Sequence, residues 1–285
     1  MAYIWMLFSA LSFATMGTMA HGLRDDVSWE VIALARSLVV LMLSAAIVRA
    51  SNVRFHFRRP WQLWVRSIAG SISMLFIFFS LTRLPVSIVI TLMNLAPAWV
   101  AIASWFLLPE TRSRSVWVAV LVGLVGVFLI QQPQLAQGNR AVFAPLIASV
   151  LLAIVMMALH HARSIDSRAV VLHFALIAFT MSLCLFLFSA SKASLEVSLR
   201  PVTVLMLAAT GLAATLGQLF LTIAFASGPP AKVSLVGLTQ VGFAMCYDLF
   251  MWEHDFNVLS LIGIVLIVAP TGWLMYVERR QLVEA

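Results

Sequence analysis

The chain has 285 residues, of which 62% are hydrophobic and only 10% are charged. Soluble domains carry about 25% charged residues, so this composition excludes a soluble globular protein and predicts an all-α integral membrane protein. The formal net charge is +7, but most basic residues lie in short segments between apolar runs. That placement orients a membrane protein, and no nucleic-acid partner is expected.

Ten apolar runs are long enough to cross the roughly 30 Å hydrocarbon core of a bilayer. The first has no basic residue before it and no convincing small-residue cleavage site, so it is predicted to span the membrane and not to be a removable signal peptide. The ten predicted spans are 3–22, 29–49, 61–82, 86–107, 114–131, 142–162, 169–189, 202–226, 231–251 and 258–276.

The distribution of Lys and Arg predicts that both termini lie in the cytoplasm. With the N-terminus inside, the cytoplasmic segments carry the larger share of basic residues, as the positive-inside rule requires. A short cytoplasmic tail, 277–285, follows the last span. The basic residues assigned inside are Arg49, Arg54, Arg58, Arg59, Arg112, Arg114, Arg163, Arg168, Lys232, Arg279 and Arg280, and those outside are Arg24, Arg83, Arg140, Lys192 and Arg200.

Two stretches of the chain resemble one another at an offset of 143 residues. Each has the end of a helix, a short Pro-containing turn and a new apolar helix with a hydroxyl at the same place, Thr91 or Ser234. Each then has a glutamate where that helix ends, Glu110 or Glu253. An internal duplication in a multi-pass chain is typical of a transporter built from two halves.

The duplication divides the ten helices into two halves, 1–131 and 142–276. Because five is an odd number, the second half enters the membrane from the opposite face. The predicted architecture is therefore ten transmembrane helices as a 5+5 inverted repeat. Such repeats place the substrate site near the midplane between the halves and move it between two related conformations.

Four segments, taken in order, resemble the EamA family of the drug/metabolite transporter superfamily. They are 33–36 (Ala-Leu-Ala-Arg), 95–101 (Leu-Ala-Pro-Ala-Trp-Val-Ala), 232–237 (Lys-Val-Ser-Leu-Val-Gly) and 261–267 (Leu-Ile-Gly-Ile-Val-Leu-Ile). The resemblance implies a cavity lined mainly by helices one, three, four, six, eight and nine. It also implies a bacterial inner (plasma) membrane location and transport of small amphipathic metabolites, with amino acids and their relatives first.

Two positions depart from the family's usual pattern. The family often has Trp-Gly where this chain has Phe13-Ala14, and Glu-Pro where this chain has Thr239-Gln240. A proline bends a helix and frees a carbonyl, whereas Gln240 brings an amide. The shape and polarity of the cavity at this place are therefore expected to differ from those of other members.

Polar side chains inside the spans are candidates for substrate binding, because such groups are costly to leave unpaired in a bilayer. The competing interpretation is that they bond across packed helices, each bond contributing about 0.6 kcal/mol on average. The candidates are Asn94, Gln218, Gln240, Thr91, Ser234 and Ser71.

An adaptable apolar wall is the second predicted part of the site, since flexible thioethers suit promiscuous binding. The alternative interpretation is that these Met and aromatic side chains pack against neighbouring helices or contact lipid. Arg36 lies inside the second span and is expected to pair with Asp248 or to bind a substrate carboxylate. The alternative is a structural charge that bonds to neighbouring backbone or extends to water. The predicted wall comprises Met16, Met74, Met156, Phe78, Trp99 and Tyr247.

The sequence predicts a metabolite transporter that works by alternating access, with efflux as the expected direction. An uptake carrier for a vitamin, a nucleotide-like or a carboxylate metabolite is the alternative. An intramembrane enzyme or sensor is the remote one, because neither Gly-x-Ser-x-Gly nor His-Glu-x-x-His occurs. No catalytic residue, cofactor or metal is expected. A small-molecule substrate and the lipid bilayer are the expected partners of a monomer or weak homodimer.

Overall fold

The structure is a computed structural model that describes residues 1–23, 26–53, 60–81, 83–84, 86–108, 114–131, 142–188, 200–252 and 258–284. Within these ranges the regular structure is helical and contains no strand. The helices are α1 (Ala2–Gly22), α2 (Trp29–Ala50), α3 (Trp61–Leu81), α4 (Val86–Met93), α5 (Ala96–Leu107), α6 (Arg114–Gln131), α7 (Phe143–His161), α8 (Ser167–Phe188), α9 (Pro201–Ser227), α10 (Pro230–Gly237), α11 (Thr239–Trp252) and α12 (Val258–Glu284).

Six of the described helices, α1, α2, α3, α7, α8 and α9, are long and apolar enough to cross a membrane. Shorter apolar stretches occupy Ala96–Leu107, Arg114–Leu129 and Leu261–Pro270. The chain is therefore an all-helical, multi-pass membrane protein, as its composition predicts. The structure divides two of the predicted spans, 86–107 and 231–251, into two helices each.

The first break lies at Asn94 and Leu95, between α4 and α5. Pro97 explains it, because a proline has no N–H to donate to the carbonyl of Met93 and its ring would clash with that carbonyl. Next to the break, the Asn94 side-chain amide donates to a different carbonyl oxygen, that of Ile90, at 2.8 Å. The sequence pattern missed this break because every residue around it except Asn94 is apolar.

The second break lies at Leu238, between α10 and α11. It follows Gly237, and glycine in a helix interior is destabilising by about 0.5–1 kcal/mol relative to alanine. The hydroxyl of Thr239 donates to the Val236 carbonyl oxygen at 2.7 Å, which satisfies a carbonyl left free at the end of α10. No proline interrupts the chain at this point, so the pattern again predicted one helix.

Seven of the described helices pack against one another in one connected group. α1 packs mainly against α9, and α3 mainly against α7. α5 contacts both α7 and α10, and α11 contacts α1. α2 packs with α8 and α9 outside this group, while α6 pairs with α12. Helices α1, α3, α5, α7 and α9 share the largest buried apolar cluster, which includes Val100, Leu159 and Phe225.

The last helix is longer than predicted, since α12 continues to Glu284 while the pattern ended the last span at residue 276. The prediction of a separate tail from residue 277 was based on the loss of apolar residues there. The segment 277–284 (Val-Glu-Arg-Arg-Gln-Leu-Val-Glu) has no glycine or proline and contains several good helix formers. A helix therefore continues beyond the apolar part of the chain.

Candidate functional site

Two arginines are buried within the helix bundle. Arg66 of α3 is 1% exposed and Arg36 of α2 is 7% exposed. Both contact one buried cluster, since Arg66 lies over Phe174 and Arg36 bonds to Met74, which packs with Phe174. Ionisable side chains within spanning helices are costly and face the interior of the bundle or a water-filled path. The surroundings of these two cations therefore define the candidate site.

Arg66 contacts α8 and α9. Its Nη2 atom donates a hydrogen bond to Oε1 of Gln218, and its Cζ atom lies 3.9 Å from the ring centroid of Phe174. This guanidinium therefore has one amide acceptor and a cation–π partner. Its Nε and Nη1 atoms are buried without a hydrogen-bond partner in the described structure. A guanidinium has five N–H donors, so Arg66 keeps unused capacity.

Arg36 donates from Nη1 to the sulfur atom of Met74, which is a weak acceptor. Its Nε atom has no hydrogen-bond partner among the described atoms. Ser71 lies between Arg66 and Met74 along α3, is fully buried and has a hydroxyl oxygen in the same unpartnered condition. The four side chains of Arg36, Arg66, Ser71 and Gln218 are called the arginine site below.

The arginine site has no counter-charge in the described part of the chain. The carboxylate side chains described there are Asp26, Glu30 and Asp166, which lie at or next to helix ends, and neither arginine forms an ion pair with them. Among the described residues the site is therefore electropositive and buried. Chemically, it can hold an oxyanion through charge-assisted hydrogen bonds.

The arginine site contains three of the predicted residues, Arg36, Gln218 and Ser71, and a fourth, Met74, accepts a hydrogen bond from Arg36. Phe78 extends this group, because it packs with Met74 against Phe174 of α8. Its ring also stacks on that of Trp29 at 6.3 Å between centroids. Met16 lies against a separate buried cluster formed by α2, α8 and α9.

Other predicted residues lie on the broken helices. Asn94 forms part of the first break and is partly buried, and Gln240 is the second residue of α11 and is partly buried. Ser234 is buried, and its hydroxyl donates within its own helix to the Ala231 carbonyl at 3.0 Å. The side chain of Thr91 lies outside the described residues, and so does that of Asp248, the predicted partner of Arg36.

Three predicted wall residues take part in contacts between helices. The Trp99 indole N–H donates to the Ser149 hydroxyl at 3.0 Å, and the hydroxyls of Tyr247 and Thr15 lie 2.7 Å apart. Met156 is buried in the large apolar cluster. These contacts are those expected from the alternative interpretation, in which such side chains hold packed helices together.

Sequence reasoning missed Arg66 and Phe174. Arg66 lies only five residues inside the predicted span 61–82, a depth from which a long side chain often reaches the interface. The burial that makes it informative comes from α8 and α9, which are far away in sequence. Phe174 gives no signal at all, since it is one apolar residue among many. No group of three or more His, Cys, Asp or Glu residues suited to a metal occurs among the described residues.

Comparison with known proteins supports the fold and shows what the chain is similar to. Residues 1–132 match the model of the EamA-like transporter family. The pseudopaline exporter CntI of Pseudomonas aeruginosa is 23% identical over 268 residues, which are 92% of this chain and 91% of that one. An uncharacterized transporter of Helicobacter pylori is 24% identical over 210 residues, covering 73% and 70% of the two chains.

A solved crystal structure has the same fold over almost the whole length. It superposes with a TM-score of 0.82 at 18% sequence identity, covering 98% of each chain. At this identity the likeness bears on the fold alone. The family match, the transporter relatives and the spanning helices agree with one another. They indicate a multi-pass membrane transporter whose residues 1–132 are similar to the EamA-like transporter family.

Proposed function

We propose that this membrane transporter exports a small amphipathic metabolite, an amino acid or a relative of one, across a bacterial inner membrane. It works by alternating access between two inverted halves, 1–131 and 142–276, each with five spans. The family match and the transporter relatives support the membrane transporter. The direction of transport and the substrate class are part of this proposal.

The observation that carries the mechanism is that both broken helices break at the same register. Leu95 and Leu238 are 143 residues apart, which is the offset of the repeat in the sequence. At each break two backbone hydrogen bonds join an N–H to the carbonyl oxygen three residues earlier. A regular α-helix uses the carbonyl four residues earlier. These bonds are Leu95 N to Leu92 O (3.2 Å), Ala98 N to Leu95 O (2.9 Å), Leu238 N to Leu235 O (3.0 Å) and Val241 N to Leu238 O (3.0 Å).

Interrupted helices at corresponding positions of two halves are the best pointer to a transporter's binding site. They leave carbonyls and N–H groups near the middle of the membrane that a continuous helix would use internally. Asn94 and Gln240 lie next to these breaks, which supports a role for both amides in substrate binding. Thr91 and Ser234, which are equivalent in the repeat, remain further candidates on the same helices.

The packing of the other helices supports two inverted halves as well. If α1 corresponds to α7 and α3 to α9, the pair α1–α9 corresponds to the pair α7–α3, and both pairs pack closely. Each pair also contains one hydroxyl-to-carbonyl bond between helices. Ser9 donates to the Gly217 oxygen and Ser73 donates to the Ala148 oxygen, both at 2.9 Å. Two halves of similar packing give two conformations of similar energy, open to opposite sides.

Separate observations support the direction of transport and the orientation of the chain in the membrane. The name of one relative spanning nearly the whole chain, the pseudopaline exporter, supports efflux. The excess of Lys and Arg in alternate loops supports cytoplasmic termini. Uptake of a carboxylate metabolite is the second candidate, and the electropositive arginine site favours that substrate over an uncharged one. We propose no enzymatic activity.

Export and the role of the breaks can be tested in one experiment. Cells that overproduce the protein, its Pro97→Ala variant or its Pro145→Ala variant are compared with cells carrying an empty vector. Mass spectrometry of the medium measures which metabolites accumulate. Pro97→Ala supplies the N–H that lets α4 and α5 join, so it should abolish the accumulation. Pro145 lies in the first turn of α7, where a missing N–H has little effect, and its variant should export normally.

Export of a small set of metabolites by the wild type, its loss in Pro97→Ala and its retention in Pro145→Ala is the expected result. A medium identical to that of the empty-vector cells, with the protein present in the membrane, contradicts export. Normal export by Pro97→Ala contradicts the proposed role of the helix break.

A further inference from the structure

We propose that Arg36 and Arg66 together bind a carboxylate group of the transported metabolite, at a subsite formed by α2, α3 and α9. The proposal rests on the transport function above and adds the chemical class of the substrate. It also assigns a role to Arg66, which the sequence pattern did not select. The observations that carry it are the burial of both guanidinium groups, their unused donors and the lack of a described counter-charge.

The unused donors match a carboxylate in number. Unpartnered and buried in the described structure are Nε of Arg36, Nε and Nη1 of Arg66, and the Ser71 hydroxyl. A guanidinium Nε carries one N–H and each Nη carries two, and a carboxylate offers about four acceptor positions. A carboxylate bound here would accept from part of this set, because Nε and Nη1 of Arg66 lie on different edges of the guanidinium. A phosphate group has more acceptor positions than these donors can fill.

The charge of the site points to the same ligand. A buried cation is stable only when its desolvation is offset by a partner of opposite charge and by hydrogen bonds. Here both cations contact one buried cluster, Arg66 at Phe174 and Arg36 at Met74. Their described partners are an amide oxygen, a thioether and an aromatic ring. A purely structural pair would be expected to face a carboxylate side chain. A bound anion removes the repulsion and supplies the missing acceptors.

The surroundings indicate that the rest of the substrate is apolar. Met74 and Phe174 belong to one buried apolar cluster with Ala178, and Phe78 packs against it. Here α3 lies so close to α8 that a Cβ atom on Gly70 would be 3.2 Å from the Phe174 ring. The fixed donors therefore lie beside a tightly packed apolar surface. This combination fits an amphipathic acid, with a charged head group and a hydrocarbon or aromatic body.

Binding to the purified full chain in detergent tests the proposal. The probes are phenylacetate, benzoate and hexanoate, each compared with its uncharged amide, and phenyl phosphate. L-Phenylalanine is compared with phenylalaninamide, which keeps the amino group and lacks the carboxylate. A ligand that binds the folded state raises the apparent melting temperature. At least one carboxylate should do so and its amide should not. In Arg36→Gln and Arg66→Gln the apparent Kd of that carboxylate should rise about 10- to 100-fold, because a charge-assisted hydrogen bond is lost.

The ligand-free variants separate a binding role from a structural one. If the arginines exist to bind an anion, removing an unpaired buried charge should leave the melting temperature unchanged or raise it. If they hold the fold together, both variants should unfold at a lower temperature. Arg83→Gln is the matched control, since Arg83 is exposed and stacks on Phe79 at 3.8 Å. It should bind the carboxylate with the wild-type Kd.

Several outcomes overturn the proposal. They are an absence of arginine-dependent stabilisation by every carboxylate, stronger stabilisation by phenyl phosphate than by the carboxylates, or a lower melting temperature in both ligand-free variants. Transport of the same probes in liposomes distinguishes this failure from failure of the proposed function. Arginine-dependent binding without transport contradicts the transporter and retains the anion site. Transport that is unchanged in both variants retains the transporter and rejects the anion site.

Discussion

Replacing Gly126 by alanine tests the packing of α6 against α12. A Cβ atom at this position would lie 2.6 Å from the Gly263 backbone oxygen, 3.0 Å from Ile267 and 3.1 Å from Leu266. The nearest atom is backbone, so no side-chain rotation can relieve the contact. Restoring an ordinary contact of 3.4 Å at the carbonyl requires the two helices to separate by about 0.8 Å.

The magnitude follows from that displacement. A gap of 0.5–1 Å forfeits about a quarter to a half of the dispersion energy of each affected atom pair. Inserting a methyl group into a packed core typically costs about 1–3 kcal/mol. The higher helix propensity of alanine returns at most about 1 kcal/mol. The control is Gly272→Ala in α12, where a Cβ atom would meet nothing within 4 Å and gains the same propensity without a clash.

Unfolding in mixed micelles with an increasing fraction of denaturing detergent measures both variants. Gly126→Ala should have a free energy of unfolding about 1–3 kcal/mol lower than that of Gly272→Ala. Equal stabilities, within the roughly 0.5 kcal/mol typical of neutral surface substitutions, would refute the close approach of α6 and α12.

Further substitutions probe the site and the surface. Asn94→Ala and Gln240→Ala should each reduce transport several-fold in the liposome assay while membrane insertion is unchanged, and wild-type rates in both would remove these amides from the site. Tyr247→Phe should lower the free energy of unfolding by about 0.6 kcal/mol, because a hydroxyl contact between α1 and α11 is lost; an unchanged value in the micelle assay would argue against that contact. Serine at both Cys184 and Cys246 should leave the melting temperature unchanged, since both thiols are exposed, and a clear decrease would contradict this.

The helices are largely readable from the sequence because the bilayer imposes a simple requirement. A spanning segment must satisfy its backbone internally and present apolar side chains to lipid, so length and hydropathy locate it. α2 ends one residue later than its predicted span, and α9 is one residue longer than its predicted span at each end. α12 is the exception, because a helix outside the hydrocarbon region depends on helix propensity and not on hydropathy.

The two breaks were not predicted, although the repeat that contains them was. At Leu238 no proline marks the break, and the determinant is a side-chain bond from Thr239 to a carbonyl together with the low helix propensity of Gly237. Local sequence gives weak evidence for such a feature. Its position becomes informative only when it recurs at the equivalent place in the other half.

The candidate site was predicted in part. Gln218, Ser71 and Met74 were selected because they are polar or flexible residues inside spans. Gln218 and Met74 each contact an arginine, and Ser71 lies between Arg66 and Met74 along α3. That Arg36 and Arg66 lie in the same buried site could not be predicted, because it depends on how α2, α3 and α9 pack. A single sequence gives the residue types on each helix but not which faces meet.

The labelling of a single cysteine at position 71 tests the central claim, that a site near the middle of the bundle opens to both sides of the membrane. In a Cys184→Ser, Cys246→Ser background, Ser71→Cys introduces a thiol at a fully buried position. A membrane-impermeant thiol reagent is added to one side at a time in sealed vesicles. Alternating access predicts reaction from either side, with a bound carboxylate slowing both reactions. Absence of reaction from both sides, under conditions in which the protein transports, would contradict the mechanism.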